Sequence, residues 1–485
     1  MVRLTASLED GHTYIADLGP AGSRWFPVRF HLFADGLWIT AIAPEQNELA
    51  GGRVVRLGRL SAAEAVAAIL PLAAGDNEFG RRERVPLLAN AALLEGLRII
   101  PAGGGLPLTI STKSGERRVT LTAIATGKGD LTWPQYGEME GPPGVTVETA
   151  FNRRAPAAYR DPDKNGDLPL HLRGRRAYWW TVMPDGGGVY LQVNNIVGKS
   201  RYSPLTVLET VRQALAHADS LPGTAPRFIL DLRYNSGGDG SLNVRLAREF
   251  IRRDTGIARP GRFFVLTGQK TFSAAADLAI MLGRHTPAIF AGEPMGVPFN
   301  ASGDAGHSEL PNHKIAVSIS TNNWMMAKDD GIRVVPVQIP VSMSGERYFA
   351  GIDPVLDAII SRPVPYPDVL TTLREQGGAA AKALWESLGR EFGAVPWWRP
   401  FTMSELNSLA YDLLGQKRTE DAIAGFELNR DRFPAAWETW DSLGDAYKEA
   451  GRKAEARASF ERALRIAPDN WNAEYQRKMI KELAG

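Results

Sequence analysis

The stretch from residue 187 to residue 293 alternates short apolar strands with helical patterns, and this alternation constrains the fold more than any other feature. Strand-like runs lie at 188–197, 227–233, 261–268 and 287–293, with helical patterns between them at 204–221, 242–252 and 273–283. Strands that are joined through helices run parallel, and the helices cover both faces of the sheet. The sequence therefore predicts an α/β core built on a mainly parallel sheet.

The N-terminal part has a different pattern of short apolar runs separated by glycine-containing turns. Runs that predict strands lie within 25–60, at 106–112 and at 118–125. Ser61 followed three residues later by Glu64 has the spacing of a capping box and predicts the start of a helix. We therefore predict an N-terminal segment over 1–33 and a small β-rich module over 34–125.

The C-terminal part carries the spacing of tetratricopeptide repeats, whose period is about 34 residues. The signature residues are Trp440, Leu443, Gly444, Tyr447, Ala456, Phe460, Ala463 and Pro468. One period earlier the same pattern is broken only at Asn429. This predicts two repeats over 403–470, a capping helix over 471–485 and a proline-rich linker over 363–402. Packing on the main domain and binding of a protein partner are both open for the repeats.

Composition excludes several classes of function. The 485 residues include 56 Lys and Arg against 54 Asp and Glu, so there is no basic excess for binding nucleic acid. No apolar run approaches the about 18 residues that a membrane span needs. The chain has no cysteine, which excludes disulfides, thiolate nucleophiles and cysteine-based zinc sites.

The strongest chemical signal lies where two strands of the predicted sheet end. The strand at 227–233 runs into Gly237-Gly238, and the strand at 261–268 runs through a turn to Ser273 at the start of a helix. Ligands bind at the carboxyl ends of parallel strands, and glycines leave backbone N–H groups accessible there. Ser273 would be a nucleophile, with an oxyanion hole made by the N–H groups of Gly237 or Gly238 and of Ala274. The alternative is that Ser273 only caps the helix and the glycines only form tight turns.

The residues around these turns resemble the S41 serine peptidases, in particular the tail-specific (C-terminal processing) proteases and the tricorn core. The resemblance rests on LDLRYNSGG (230–238), LTGQKTFSAAADLA (266–279), IFAGEPMG (289–296), DGHT (10–13) and VSMSGERYFAGIDPVLDAI (341–359). It covers residues 1 to about 362. It implies a peptidase core with a ClpP/crotonase-like sheet over 126–362, a PDZ-like module over 34–125, Ser273 as nucleophile, a polypeptide substrate and no metal or organic cofactor.

The general base differs between branches of that family. The tail-specific branch has a Lys shortly after a Gly-Glu-Pro turn, but here Gly292-Glu293-Pro294 is followed by no Lys before Lys314, and Lys270 is expected on a loop outside the crevice. The tricorn-like branch has a His near the start and an acid beyond the serine. Resemblance to that branch implies His12 as base and Asp330 as the acid that orients it, with Asp329 in reserve. A purely structural turn is the alternative for His12.

Two departures from the family leave catalysis open. Ala276 replaces a Glu near the nucleophile, and Val335-Pro336-Val337 replaces a Glu-Pro-Asp sequence. The alternatives are a catalytically inactive peptide-binding protein that recruits partners through its repeats, and a hydrolase of non-peptide esters or amides. The resemblance implies a periplasmic or secreted protein. The absence of a signal-peptide pattern in Met1–Glu9 argues against that location unless the true start lies upstream, so the location stays open.

Overall fold

The computed structural model divides the chain into two units, Met1–Arg362 and Pro363–Gly485. It describes residues 1–125, 148–149, 169–172, 177–184, 186–200, 203–221, 227–252, 261–326, 332–361, 368–392 and 400–484. Asp329 and Asp330, predicted as acids, lie outside these ranges. None of the helices in the described ranges is both long and apolar enough to cross a membrane.

The first 125 residues are mostly antiparallel strands with short helices between them. The elements are α1 (Val2–Ala6), β1 (Tyr14–Asp17), β2 (Arg24–Trp25), β3 (Val28–Phe33), β4 (Gly36–Ile42), β5 (Arg53–Leu57), β6 (Leu60–Ser61), α2 (Ala62–Ile69), α3 (Glu78–Arg82), α4 (Ala91–Gly96), β7 (Leu106–Thr112), β8 (Gly115–Leu121) and β9 (Ile124–Ala125). A further short strand, β10 (Glu148–Thr149), pairs with β4. Strands β3 to β8 and β10 form one seven-stranded sheet, and the predicted capping box of Ser61 and Glu64 begins α2.

The second half of this unit contains the predicted parallel sheet. Its elements are β11 (Tyr178–Val182), β12 (Gly188–Val193), α5 (Val207–Ser220), β13 (Arg227–Asp231), α6 (Asn243–Ile251), β14 (Phe263–Thr267), α7 (Ala274–His285), β15 (Ile289–Gly292), β16 (Asn300–Gly303), β17 (Gly306–Leu310), β18 (Ile315–Ile319), β19 (Asn322–Met325), β20 (Ile339–Pro340), α8 (Gly345–Ala350) and α9 (Pro354–Ile360). Six strands pair in the order β11-β12-β13-β14-β15-β20, and every pair but β11–β12 is parallel. The mixed α/β fold with a mainly parallel sheet is confirmed.

A separate three-stranded sheet joins the start of the chain to a segment some 300 residues later. β1 pairs antiparallel with β18, with Tyr14 opposite Ser318 and Ile15 opposite Val317, and β18 pairs with β17. Just before β1, the Thr13 Oγ1 accepts a 3.0 Å hydrogen bond from the Ser320 N–H. This pairing fixes where the turn at residues 10–13 lies.

The C-terminal unit is helical. Its helices are α10 (Val369–Gln376), α11 (Gly378–Phe392), α12 (Met403–Gly415), α13 (Thr419–Arg432), α14 (Trp437–Glu449), α15 (Lys453–Ile466) and α16 (Ala473–Glu482). The predicted repeats are the hairpins α12–α13 and α14–α15, and α16 is the predicted capping helix. Gly444 must be small, because a Cβ there would stand 2.7 Å from the Phe460 ring.

The linker predicted over 363–402 is wrong for its middle part. Helices α10 and α11 occupy most of this stretch, and the buried Val369, Leu373 and Ala381 belong to the same apolar cluster as the repeats. The prolines lie before α10 and after α11, so they bound the two helices rather than exclude them. Asp368 caps α10 by accepting the Thr371 N–H at 2.8 Å.

Candidate active site

Ser273 lies in the turn between β14 and α7 with an unusual backbone conformation. Its φ and ψ are 52° and −134°, a region that residues other than glycine rarely adopt. Its side chain makes no capping hydrogen bond to α7, which is the bond that the helix-cap alternative requires. The residue is half-buried. The turn therefore holds Ser273 in a strained conformation, and its hydroxyl does not cap α7. Backbone strain of this kind is found at functional sites.

Gly237 packs directly against this turn, and Gly238 packs against Ile196. Their φ values are 112° and 134°. A Cβ on Gly237 would stand 2.7 Å from the Ser273 Cβ and 3.2 Å from its Oγ. A Cβ on Gly238 would stand 2.2 Å from the Ile196 carbonyl oxygen. Both positions therefore require glycine, and the structure brings the predicted nucleophile and the predicted glycine turn into contact.

The three predicted oxyanion donors are not equivalent. The Gly237 N–H already donates to the Asn235 Oδ1 at 2.9 Å. Within the described part of the chain, the N–H groups of Gly238 and Ala274 donate to no acceptor. Ala274 is the first residue of α7, where an N–H has no partner within the helix and the helix dipole is positive. Gly238 and Ala274 are therefore the available donors, and Gly237 shapes the loop.

Asn235 is a residue of this site that the sequence analysis missed. It is fully buried and donates from Nδ2 to the Val193 carbonyl at 2.9 Å, while its Oδ1 holds Gly237. Its own carbonyl accepts the Phe272 N–H at 3.1 Å. The side chain of Asn235 thus joins the end of β12 to the glycine loop, and its backbone carbonyl joins that loop to the serine turn. An Asn two residues before a glycine in a turn is the sequence signal that could have found it.

His12 lies next to the serine turn. Its ring centroid is 4.4 Å from that of Phe272, the residue immediately before Ser273. The turn that carries it is closed by Asp10, which accepts the His12 N–H at 2.8 Å and the Thr13 hydroxyl at 2.6 Å. The chain start therefore folds back to the serine turn some 260 residues later.

The surroundings of His12 favour its neutral form. Burial lowers the pKa of His12, Asp10 opposes this effect, and Arg84 adds to it. Its Nδ1 is buried and has no hydrogen-bond partner in the described ranges. A neutral imidazole at neutral pH is the form that can accept a proton.

Besides Asp10, the carboxylates of Asp277 and Asp304 bear on these groups. Asp277 is one helical turn beyond Ser273, and burial together with Asp304 raises the pKa of Asp277 to about 6. Asp304 contributes to the field at His12 and accepts a 2.8 Å hydrogen bond from the Asn322 Nδ2. Ala276 and Val335, which replace family carboxylates, are both buried. Of all the acidic residues, Asp277 lies nearest in sequence to Ser273, the predicted nucleophile.

Lys270 lies on the loop before α7 as predicted, but it is buried rather than exposed. It lines a cavity of about 50 Å³ at the carboxyl ends of the central strands, together with Arg233, Glu83 and Glu293. Ser273 is not among the described residues that line this cavity. Lys270 and Ser273 therefore do not share this cavity.

One family model and several solved structures are similar to parts of this chain. A tetratricopeptide repeat model matches residues 437–470. The C-terminal unit contains a tetratricopeptide repeat. No curated protein matches the chain. Among solved structures, mature CPAF complexed with lactacystin is similar at 12% identity over 72% of this chain and 84% of that chain, with a TM-score of 0.46.

Two further solved structures are similar. The photosystem II D1 C-terminal processing protease matches at 14% identity over 70% of this chain and 80% of that chain, with a TM-score of 0.32. A candidate S41 protease from Bacteroides fragilis NCTC 9343 matches at 13% identity over 79% and 88%, with a TM-score of 0.33.

Proposed function

We propose that the chain is a serine peptidase that hydrolyses peptide bonds of polypeptide substrates. One observation carries the proposal: the strained Ser273, with no capping bond, contacts a glycine loop beside two N–H groups that lack acceptors in the described ranges. A nucleophile beside preorganised donors is the arrangement that acyl transfer needs.

The reaction follows from these positions. Neutral His12 takes the proton of the Ser273 hydroxyl while Oγ attacks the carbonyl carbon of the substrate. The N–H groups of Gly238 and Ala274 stabilise the oxygen that becomes negative. Protonated His12 then gives its proton to the leaving amine, and water hydrolyses the acyl-enzyme by the same steps with His12 again as base.

The acid that orients His12 is proposed to be Asp330, with Asp329 in reserve. Such an acid accepts a hydrogen bond from the Nδ1–H group and stabilises the imidazolium. The buried Nδ1 of His12, without a partner in the described ranges, supports a need for this acceptor. Asp304 contributes a second negative charge to the same imidazole.

The remaining parts have supporting roles in this proposal. The β-rich module over 34–125 would present an extended polypeptide, as a PDZ-like module does by strand addition. The repeats would bind a protein partner. On the C-terminal unit, Tyr411 and Tyr475 both bond to Asp445 across α12, α14 and α16, which gives that face a polar surface with partly exposed aromatic side chains.

A fluorophosphonate probe tests the nucleophile. The wild-type protein should be labelled at one site, and Ser273→Ala should abolish labelling. Ser220→Ala is the matched control, because Ser220 is an exposed serine at the end of α5 whose hydroxyl bonds to the His217 carbonyl. Labelling that persists in Ser273→Ala would show that another residue reacts. Cleavage of casein by the wild type but not by Ser273→Ala separates a peptidase from an esterase.

A further inference from the structure

The turn that carries His12 is shaped by its own residues but is held in place by others. Asp10 closes the turn with hydrogen bonds to His12 and Thr13. These bonds lie within residues 10–13, so they cannot set the distance from His12 to the serine turn. The pairing of β1 with β18 holds the end of the turn at Thr13. The centre of the turn depends on what holds Gly11.

Gly11 is held from both sides by a segment 65–73 residues away. Its N–H donates to the Asp76 Oδ2 at 3.1 Å, and its carbonyl accepts from the Arg84 Nη2 at 3.2 Å. A Cβ on Gly11 would stand 2.6 Å from the Asp76 Oδ2 and 2.7 Å from the Phe272 ring. The turn is therefore wedged between the Asp76 carboxylate and the aromatic ring on which His12 packs.

Asp76 is itself firmly anchored. It is 3% exposed, and its carbonyl accepts a 2.6 Å hydrogen bond from the Arg333 Nη2, which also pairs with Glu9. The neighbouring Asn77 caps α3 and donates from Nδ2 to the Met295 carbonyl at 3.0 Å. The backbone that carries the Asp76 carboxylate is thus held by bonds to Arg333 and Met295, which lie far away in sequence.

Burial of the Asp76 carboxylate is energetically unfavourable, as the pKa of this group shows. Burial and the neighbouring Asp10 raise the pKa of Asp76 to about 7, while the Gly11 N–H opposes the rise. Burying a carboxyl group is unfavourable unless its hydrogen bonds repay the cost. The side-chain bond described for Asp76 goes to Gly11 in the His12 turn.

We propose that Asp76 is a positioning residue for His12: by holding the Gly11 N–H it presses the turn against Phe272 and so sets the imidazole beside Ser273. The proposal rests on the proposed peptidase function for its catalytic consequence. It also means that the β-rich module over 34–125 takes part in building the site.

Two substitutions separate this role from a general structural one. In Asp76→Ala no acceptor is left for the Gly11 N–H, whereas in Asp76→Asn the amide oxygen still accepts it. Glu64→Ala is the matched control, because Glu64 also holds a backbone N–H in the same module but caps α2 away from the site. Thermal unfolding of each variant shows that it is folded at the assay temperature.

The rate of fluorophosphonate labelling is the first readout. We expect kinact to fall by about 10- to 100-fold in Asp76→Ala, because a small misplacement of a catalytic group costs that much, while KI is unchanged. Asp76→Asn and Glu64→Ala should label like the wild type. Equal losses in Asp76→Ala and Asp76→Asn, or a loss in KI alone, would overturn the proposal.

NMR titration of the His12 imidazole is the second readout, and it needs no activity. The charged groups that face His12 are Asp10, Arg84 and Asp304, and all remain in every variant. In Asp76→Ala the ring should leave Phe272 and become hydrated, so the pKa of His12 should rise towards its ordinary value; in Asp76→Asn it should stay low. An unchanged titration in Asp76→Ala refutes the positioning role. A wild type that is never labelled, with the predicted titrations, refutes the peptidase instead.

Discussion

Replacing Asn235 by alanine tests how the oxyanion loop is built. The substitution removes the acceptor of the Gly237 N–H and the donor to the Val193 carbonyl, both of which are buried. Each buried backbone group left without a partner costs about 1–3 kcal/mol. We therefore expect the free energy of unfolding of the N-terminal unit to fall by about 2–6 kcal/mol, as measured by urea denaturation.

The same change should act on catalysis through Gly238. When Gly237 is no longer held, the N–H of the next residue loses its orientation towards the substrate oxygen. Loss of one oxyanion donor costs about 10²–10³-fold in rate. The fluorophosphonate labelling rate of Asn235→Ala should therefore fall by about 10²-fold under conditions in which the variant is folded.

Asn90→Ala is the matched control for this prediction. Asn90 is also fully buried, donates from Nδ2 to the Gly22 carbonyl at 3.1 Å and accepts the Leu93 N–H at 3.1 Å. Its loss should destabilise the same unit by a similar amount but leave labelling unchanged. Equal slowing of labelling in both variants, or a wild-type rate in Asn235→Ala, would refute the argument.

Two further predictions concern the base and the repeats. Because burial lowers the pKa of His12, the labelling rate should rise with pH through a midpoint below the ordinary histidine value of about 6.5 and stay level at higher pH. A midpoint above about 6.5, or a rise that survives in His12→Gln, contradicts His12 as the base. In the C-terminal unit, Gly444→Ala should cost about 1–3 kcal/mol because its Cβ would stand 2.7 Å from Phe460. Gly389→Ala, where a Cβ meets nothing within 4 Å in α11, should instead stabilise that unit in the same thermal melt of the full chain.

The parts of this protein that could be predicted from sequence are those whose determinants are local. A strand that ends in a turn before a helix identifies Ser273 and Ala274, because the strand, the turn and the first helical N–H are contiguous in the chain. The repeat spacing predicts two hairpins because the signature residues recur at a fixed period along the chain. Residues 369–392 were misjudged because the prolines that suggested a linker lie outside the two helices that they bound.

The determinants that were missed are tertiary. In the sequence Asn235 is an ordinary turn residue, and only the fold places it against Val193 at the end of β12 and against Phe272 in the serine turn. Asp76 lies in the β-rich module over 34–125, in which the sequence predicts no site residue, and only the fold places it against Gly11. The sequence predicts either Gly237 or Gly238 as an oxyanion donor. The Asn235 side chain decides between them, because its Oδ1 accepts the N–H of Gly237.

Phe272 connects the two halves of the candidate site, and this has an energetic consequence. Its ring supports His12 and confines Gly11, while its N–H donates to the Asn235 carbonyl and its own carbonyl packs against Gly237. The predicted base and the glycine loop therefore both contact Phe272, the residue that precedes the predicted nucleophile. A shift of Phe272 would displace both from Ser273 together, so contributions of Asp76 and Asn235 to the rate cannot be independent. The strain at Ser273 persists for the same reason, since the contacts of Phe272 hold the turn in place.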